Sequence, residues 1–171
     1  MEAAESALNL LTACALATLF RRPASPVAHL LQGELARRVS IGLAMGTAII
    51  AIVVSPWGKQ SGAHFNPAVT ITFYRLGKMT WWDATFYCAA QLLGAVGGVA
   101  LASTLFRGAP EHKAVQYAAT LPGSHGGGVA LIAEWMISFL LMATILISSN
   151  HKGLSAYTHY LAACLVAAFI A

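Results

Sequence analysis

The chain has 171 residues, of which 58% are hydrophobic and only 9% are charged, and its mean hydropathy is +0.68. A soluble domain carries about 25% charged residues, so this composition argues against soluble domains and indicates one polytopic membrane domain. The formal net charge of +4 comes from ten Lys and Arg residues scattered between apolar segments. They form no basic face, and no nucleic-acid partner is predicted.

The first apolar segment, residues 3–20, ends at Arg21-Arg22-Pro23, where charge and proline both stop a membrane helix. The N-terminus carries Glu2 and Glu5 where a secretory signal peptide would carry basic residues. We therefore expect the first span itself to direct insertion. A polar connector is predicted to run to about Arg38.

Four further apolar segments follow, and each is compatible with a membrane helix, for which about 20 residues are needed. The last one continues to the final residue without a flanking charge. The sequence therefore predicts an all-α, multi-pass protein of the cell membrane with about five spans, the last cut short. The four segments are residues 39–54, 81–106, 129–148 and 157–171.

Small and polar residues mark particular faces of these spans. Gly42-x-x-x-Gly46 and Gly94-x-x-x-Gly98 place glycines on one helix face, which favours close approach of a neighbouring helix. Gln91 is the strongly polar residue inside the third segment, and we expect it to bond between helices. Glu134 lies well inside the fourth segment, and an ionisable residue at that depth indicates a functional role.

The sequence SGAHFNPAVT, residues 61–70, interrupts the apolar sequence after the second span. Asn66 is a strong helix N-cap, and Pro67 is favoured at the next position because its missing N–H would have no partner there. A mostly apolar helix can continue from Ala68 to about residue 76. Its length of ~15 Å is half a bilayer. Residues 61–65 are predicted to approach this half-helix in an extended conformation.

Non-helical backbone at membrane depth is tolerated where protein buries it or where it lines a water-filled cavity. A half-helix that re-enters the membrane allows both. We therefore predict that the carbonyl groups of Gly62, Ala63 and His64 face a single-file pathway, with the Asn66 amide as a donor. The His64 ring is expected to position the loop. The positive end of the half-helix disfavours cations and hydronium at this point. Asn-Pro by itself is a common turn signal, so the prediction depends on its place between two spans.

The stretch SGAHFNPAVT resembles the first Asn-Pro-Ala loop of the major intrinsic proteins, the family of aquaporins and glycerol facilitators. LAMG in the second span, Gln91 with Gly94 in the third, and AEWMISFLL in the fourth extend the resemblance along the chain. It implies a helical bundle of two inverted repeats, here a first repeat at residues 1–127 and the start of a second at 128–171. It further implies a homotetrameric passive channel for water and small neutral solutes.

The resemblance also implies roles for individual residues. Glu2 and Glu134 occupy equivalent places in the two repeats, where the family's glutamates brace the half-helix loops together with polar partners such as Gln91. An interfacial charge is the alternative reading of Glu2. Met45 and Ile170 would form apolar walls of the selectivity filter, although Gly46 remains an alternative to Met45. The pore-lining set is then Gly62, Ala63, His64, Asn66, Pro67, Ala68, Met45 and Ile170.

Three features of the sequence differ from what the family pattern implies. Glu5 stands where the family usually has a small residue, so close packing of the first helix is not expected. A second Asn-Pro-Ala motif, a sixth span and the selectivity arginine would fall beyond residue 171, so these residues alone are expected not to conduct. A cytoplasmic N-terminus, as in the family, conflicts with the distribution of Lys and Arg between the loops.

Other functions remain as alternatives. An ion-coupled secondary transporter also uses broken helices, but it needs several ionisable residues in the membrane, and Glu134 is the only deeply placed one. An enzyme could use His64, Glu134 or Glu2 as acid and base, yet no nucleophile, metal set or cofactor loop accompanies them. A non-conducting regulatory fragment is a further alternative. No cofactor or metal is predicted, because Cys14, Cys88 and Cys164 lie in separate apolar segments without ligand spacing.

Overall fold

A computed structural model of the chain describes residues 1–31, 33–122 and 126–170. These ranges contain helices and turns and no strand. Three short 3₁₀ turns lie between the α-helices, at Ala109–Glu111, Gln116–Ala118 and Ser155–Tyr157. The α-helices are α1 (Glu2–Arg21), α2 (Pro26–Leu30), α3 (Glu34–Val54), α4 (Pro56–Ser61), α5 (Pro67–Arg75), α6 (Trp81–Leu105), α7 (Gly127–Asn150) and α8 (Thr158–Ile170).

Helices α1, α3, α6 and α7 are long and apolar enough to cross a membrane, which confirms the predicted all-α, multi-pass architecture. Helix α8, the fifth predicted span, is apolar but has 13 residues, or ~20 Å of helix. Residue 171, which was predicted to continue it, lies outside the described residues. The half-helix α5 packs on α6, and the two principal helix pairs are α1 with α6 and α3 with α8.

The second span begins earlier than predicted, at Glu34 rather than at residue 39. An acidic residue is favourable in the first turn of a helix. Glu34 also pairs with Arg38 at 2.9 Å across one turn, an arrangement that supports a helix. The two charges therefore belong to the helix and not to a connector. Helix α2 occupies part of the predicted connector as well, with Pro26 at its first position.

Residues 55–61 were predicted only to close the second span, but they form the short helix α4. Ser55 caps it by accepting the N–H of Gly58 at 3.1 Å. Gly58 lies so close to the end of α3 that a Cβ atom there would come within 2.6 Å of the Val53 carbonyl oxygen. The chain therefore turns sharply after α3 and brings Ser61 towards α1.

Helices α1 and α6 are in backbone contact, so the expectation that Glu5 prevents close packing of the first span is wrong. A Cβ atom on Gly94 would lie 2.7 Å from the Cα atom of Ala3, and one on Gly98 would lie 2.8 Å from the Cα atom of Ala7. The physical reason is that the Glu5 side chain is directed towards Ser61, which binds both of its carboxylate oxygens. The glycine pair of α6 makes the contact that its spacing predicts.

Helices α3 and α8 pack through Gly46. A Cβ atom on this glycine would approach the Cβ atom of Ala167 to 3.0 Å and the carbonyl oxygen of Ala163 to 3.1 Å. Gly46 therefore serves helix packing, whereas Met45, one residue earlier, borders the cavity between the helices. Met45 and Gly46 were the two alternatives for an apolar wall of the selectivity filter, and this placement favours Met45.

Candidate functional site

The half-helix α5 begins as its sequence predicts. The Asn66 side-chain oxygen accepts the N–H of Ala68 at 2.8 Å, and Pro67 occupies the first helical position. The nine residues of α5 give a length of ~13 Å, less than half of a bilayer core. The cap uses only the oxygen, so the amide NH₂ of the exposed Asn66 retains its donor capacity.

The loop before α5 is not extended, contrary to the prediction. Gly62 has φ 86°, Ala63 φ 50° and Phe65 φ 57°, all in the left-handed region. For the two residues with a Cβ atom this conformation costs about 1–2 kcal/mol each. His64 between them does not share it. Backbones that alternate in this way turn successive N–H groups to one side and form a concave anion-binding nest.

The carboxylate of Glu2 occupies this nest. It accepts the N–H of His64 at 3.1 Å and the N–H of Phe65 at 3.3 Å. Glu2 is 3% exposed, which argues against the reading of this residue as an interfacial charge. The contacts bring the first turn of α1 to the loop, and the bracing role of Glu2 stays a prediction.

Gln91 supports the same carboxylate from α6. Its amide nitrogen donates to Glu2 Oε2 and to the hydroxyl of Thr70 at 3.0 Å. Gln91 is 1% exposed and Thr70 is fully buried. Gln91 of α6 therefore bonds to α1 through Glu2 and to α5 through Thr70.

The His64 ring is fixed from two sides. Its Nδ1 atom lies 3.0 Å from the Thr70 hydroxyl, and the ring stacks on Phe73 at a centroid distance of 5.1 Å and meets Tyr87 at 5.5 Å. The Thr70 hydroxyl, which also accepts from Gln91, can donate to Nδ1 or accept from it, and the ring tautomer decides the direction of this bond. The ring thus contacts both α5 and α6, and its role in positioning the loop stays a prediction.

Four polar residues of the site were not singled out from the sequence for a role in the loop, namely Glu5, Ser61, Thr70 and Tyr87. Ser61 Oγ lies 2.9 Å from each carboxylate oxygen of Glu5 and accepts the N–H of Ala63 at 3.0 Å. The available signal was that Glu5 lies one helical turn after Glu2, and therefore on the same face of α1. Its partner is 56 residues away in the chain, which local patterns do not reveal.

The N–H groups of three successive loop residues are thus all directed towards α1 or Ser61. In a planar trans peptide the N–H and the preceding C=O point in opposite directions. The carbonyl group of Gly62 is therefore directed away from the Ser61 hydroxyl, and those of Ala63 and His64 are directed away from Glu2 of α1. They are the three carbonyl groups that the sequence predicts to face a pathway.

A cavity of about 570 Å³ lies apart from the loop, near the other ends of α1 and α3. Met45 and Ile170 line it together with Arg21, Arg38 and Glu134. The structure therefore brings the two predicted wall residues together. It places them at a different site from Asn66, Pro67 and Ala68, which do not border this cavity.

Glu134 is exposed, and among the described residues its carboxylate has no hydrogen-bond partner. Its predicted bracing role therefore stays a prediction. The described part of the chain also contains no group of three or more His, Cys, Asp or Glu side chains that could hold a metal ion.

Comparison with known proteins agrees with this architecture. The family model described as "Major intrinsic protein" matches residues 3–171. A probable NIP-type aquaporin of Nicotiana alata is 42% identical over 98 residues, which are 57% of this chain and 34% of that protein. Aquaglyceroporin AqpS of Rhizobium meliloti (strain 1021) is 36% identical over 99 residues, or 58% of this chain and 40% of that protein.

A shorter match has a higher identity. The lens fiber major intrinsic protein of Lithobates pipiens is 51% identical over 61 residues, which are 36% of this chain and 23% of that protein. In each of these comparisons the matched region spans well under half of the relative. The family model nevertheless covers almost the whole chain, so this multi-pass membrane protein belongs to the major intrinsic protein family.

Proposed function

We propose that the chain forms part of a passive channel for water and small uncharged solutes, with the loop at residues 62–65 and the half-helix α5 lining the pathway. The observation that carries this proposal is the direction of the loop peptides. Their N–H groups point to Glu2 and Ser61, which leaves three successive carbonyl oxygens for solute on the other side.

Such a row of acceptors, followed by the Asn66 amide donor, suits a hydroxyl-bearing solute. A water molecule can accept from the Asn66 NH₂ group and donate to the carbonyl groups as it moves, so its lost hydrogen bonds are replaced. The first turn of α5 also carries positive potential, which disfavours cations. No bond is made or broken in this process, so we propose a channel and not an enzyme.

The two predicted wall residues, rather than the cavity as a whole, suggest a filter that is less polar than that of a strict water channel, since Arg21, Arg38 and Glu134 line the same cavity. Met45 is 6% exposed and lies with Ile170 at the cavity surface. Both are apolar and neither donates a hydrogen bond. We therefore propose that a solute with a hydrocarbon backbone, such as glycerol, passes as well as water.

The remaining family properties are also proposals for this chain. Residues 1–127 would form the first repeat and 128–171 the start of the second, where Glu134 would brace a loop as Glu2 does. The subunits would assemble as a homotetramer. The apolar residues exposed on α6 and α7, such as Leu93 and Leu131, provide surface for lipid and for neighbouring subunits.

The test is stopped-flow light scattering on proteoliposomes that contain the protein encoded by the complete reading frame around these residues. We expect faster osmotic shrinkage than in empty liposomes, and faster re-swelling when glycerol is the external solute. A shrinkage rate equal to that of empty liposomes would contradict the channel proposal. Glycerol uptake that requires an imposed proton or sodium gradient would instead support an ion-coupled transporter.

A further inference from the structure

A second carboxylate lies behind the loop. Glu5 is fully buried within a helix that crosses the membrane, where an unpaired carboxylate is energetically unfavourable. Both of its oxygens lie 2.9 Å from the hydroxyl of Ser61. Ser61 is the last residue of α4 and directly precedes the loop, so this contact joins the first span to the start of the candidate pathway.

Ser61 connects Glu5 to the loop backbone through a second hydrogen bond of its hydroxyl. Its hydroxyl has one hydrogen, which Glu5 accepts, and its oxygen accepts the N–H of Ala63 at 3.0 Å. A hydroxyl that donates to a carboxylate is polarised, which makes its oxygen a better acceptor. Tyr87 fixes the other side of Ser61 by donating its hydroxyl to the Ser61 carbonyl oxygen at 3.0 Å.

The N–H of Ala63 and the carbonyl of Gly62 belong to the same planar peptide and point in opposite directions. The bond from Ala63 to Ser61 therefore determines where the Gly62 carbonyl points. Gly62 is exposed and has φ 86°, a glycine with wide conformational freedom. Without the hydrogen bond from Ala63 to Ser61, the orientation of the Gly62–Ala63 peptide is only weakly restrained.

We propose that Glu5 is a positioning residue for the pathway: acting through Ser61, it orients the Gly62 carbonyl as a solute acceptor, while Glu2 orients those of Ala63 and His64. This inference rests on the proposed channel function. In this arrangement Glu5 orients one of the three acceptor carbonyl groups, and Glu2, one turn earlier on α1, orients the other two.

The test compares four variants of the protein encoded by the complete reading frame: Glu5→Ala, Ser61→Ala, the double variant and Glu5→Gln. The matched control is Ser6→Ala, because Ser6 is a buried neighbour on α1 whose hydroxyl has no partner within the described ranges. Backbone amide exchange of the peptide covering residues 61–66 is measured by mass spectrometry in nanodiscs. Osmotic permeability of the same variants is measured in proteoliposomes.

We expect the Glu5→Ala and Ser61→Ala changes each to raise the amide exchange rate in this peptide about tenfold, the factor that corresponds to one lost hydrogen bond. Permeability should fall in both. The double variant should match Ser61→Ala, since two residues of one relay are not additive. Glu5→Gln keeps an oxygen that accepts the Ser61 hydroxyl, so it should stay close to wild type, as should Ser6→Ala.

Three results would overturn the proposal: unchanged exchange in Glu5→Ala, an additive double variant, or faster exchange with unchanged permeability in a conducting protein. If Glu5→Ala does not fold, Ser61→Ala and Glu5→Gln still decide it. Failure of the wild type to conduct would count against the channel function, whereas the exchange rates decide separately whether Glu5 orders the loop.

Discussion

The Thr70 hydroxyl lies 3.0 Å from Nδ1 of His64 and joins the half-helix to the loop that precedes it. The same oxygen accepts from Gln91 of α6 at 3.0 Å. One buried hydroxyl therefore connects the loop, α5 and α6. A substitution that removes it without changing the shape of the side chain tests how far the loop depends on this junction.

Thr70→Val is expected to destabilise the protein by about 1–3 kcal/mol, because it leaves one of the two N–H groups of the buried Gln91 amide and the Nδ1 atom of His64 without a partner. Chemical unfolding in detergent micelles measures this change. The matched control is Thr72→Val in the same half-helix, since the Thr72 hydroxyl bonds only to the Ala68 carbonyl one turn earlier. Equal effects of the two substitutions would contradict the role assigned to Thr70.

Asn66→Asp should separate the two roles of Asn66. Aspartate caps a helix as well as asparagine does, so the free energy of unfolding should change by less than about 0.5 kcal/mol. The variant loses the NH₂ donor and places a carboxylate in the pathway, so water permeability should fall severalfold.

Asn66→Ala is compared with Asn66→Asp in both its free energy of unfolding and its water permeability. It loses both the cap and the donor, and it should therefore also lose about 1 kcal/mol of stability. Unaltered osmotic permeability in the stable Asn66→Asp protein would show that the amide does not meet the solute.

Gly94→Ala should destabilise the pair of helices α1 and α6. Its methyl group would come within 2.7 Å of the Ala3 Cα atom, and overpacking of this kind costs about 1–3 kcal/mol or more. Gly97→Ala is the control, because a Cβ atom on Gly97 meets nothing within 4 Å. That change should be neutral or should stabilise the helix by up to about 1 kcal/mol. Thermal unfolding in micelles distinguishes them, and a tolerated Gly94→Ala would rule out backbone contact there.

Met45→Phe should narrow the cavity and lower glycerol permeability relative to water permeability. A change of this size in an apolar pocket alters discrimination by roughly tenfold. Leu43→Phe on the same helix is the control, since Leu43 is 63% exposed and does not border the cavity. The ratio of glycerol to osmotic permeability in proteoliposomes measures the effect. An equal permeability ratio in the two variants would contradict the assignment of Met45 to the selectivity filter.

Features encoded by neighbouring residues were predictable from the sequence. The helix start at Asn66-Pro67 depends on two adjacent residues, and the packing face of α6 depends on Gly94 and Gly98, four residues apart. These patterns act within one or two helical turns, so they can be read without knowledge of the fold. The start of α3 was placed too late because Glu34 and Arg38 were treated as connector charges, although their spacing suits a helix.

The conformation of the loop could not be predicted in the same way. Ala63 and Phe65 have no intrinsic preference for the left-handed region; their backbones adopt it because the nest binds a carboxylate from another helix. Glu5 was misjudged for the same reason. Glu5 stands where the family usually has a small residue, which argues against close packing of the first helix, and only its distant partner Ser61 makes it compatible with the fold.

The hydrogen bonds around Glu2 also have a consequence for biosynthesis. Glu2 and Gln91 are 89 residues apart in the chain, and the nest at residues 63–65 lies between them. During synthesis at the membrane, α1 and the loop emerge from the ribosome well before α6. The loop therefore lacks one of its supports until the third long helix has been inserted, and its row of carbonyl groups is fully supported only at that later stage of assembly.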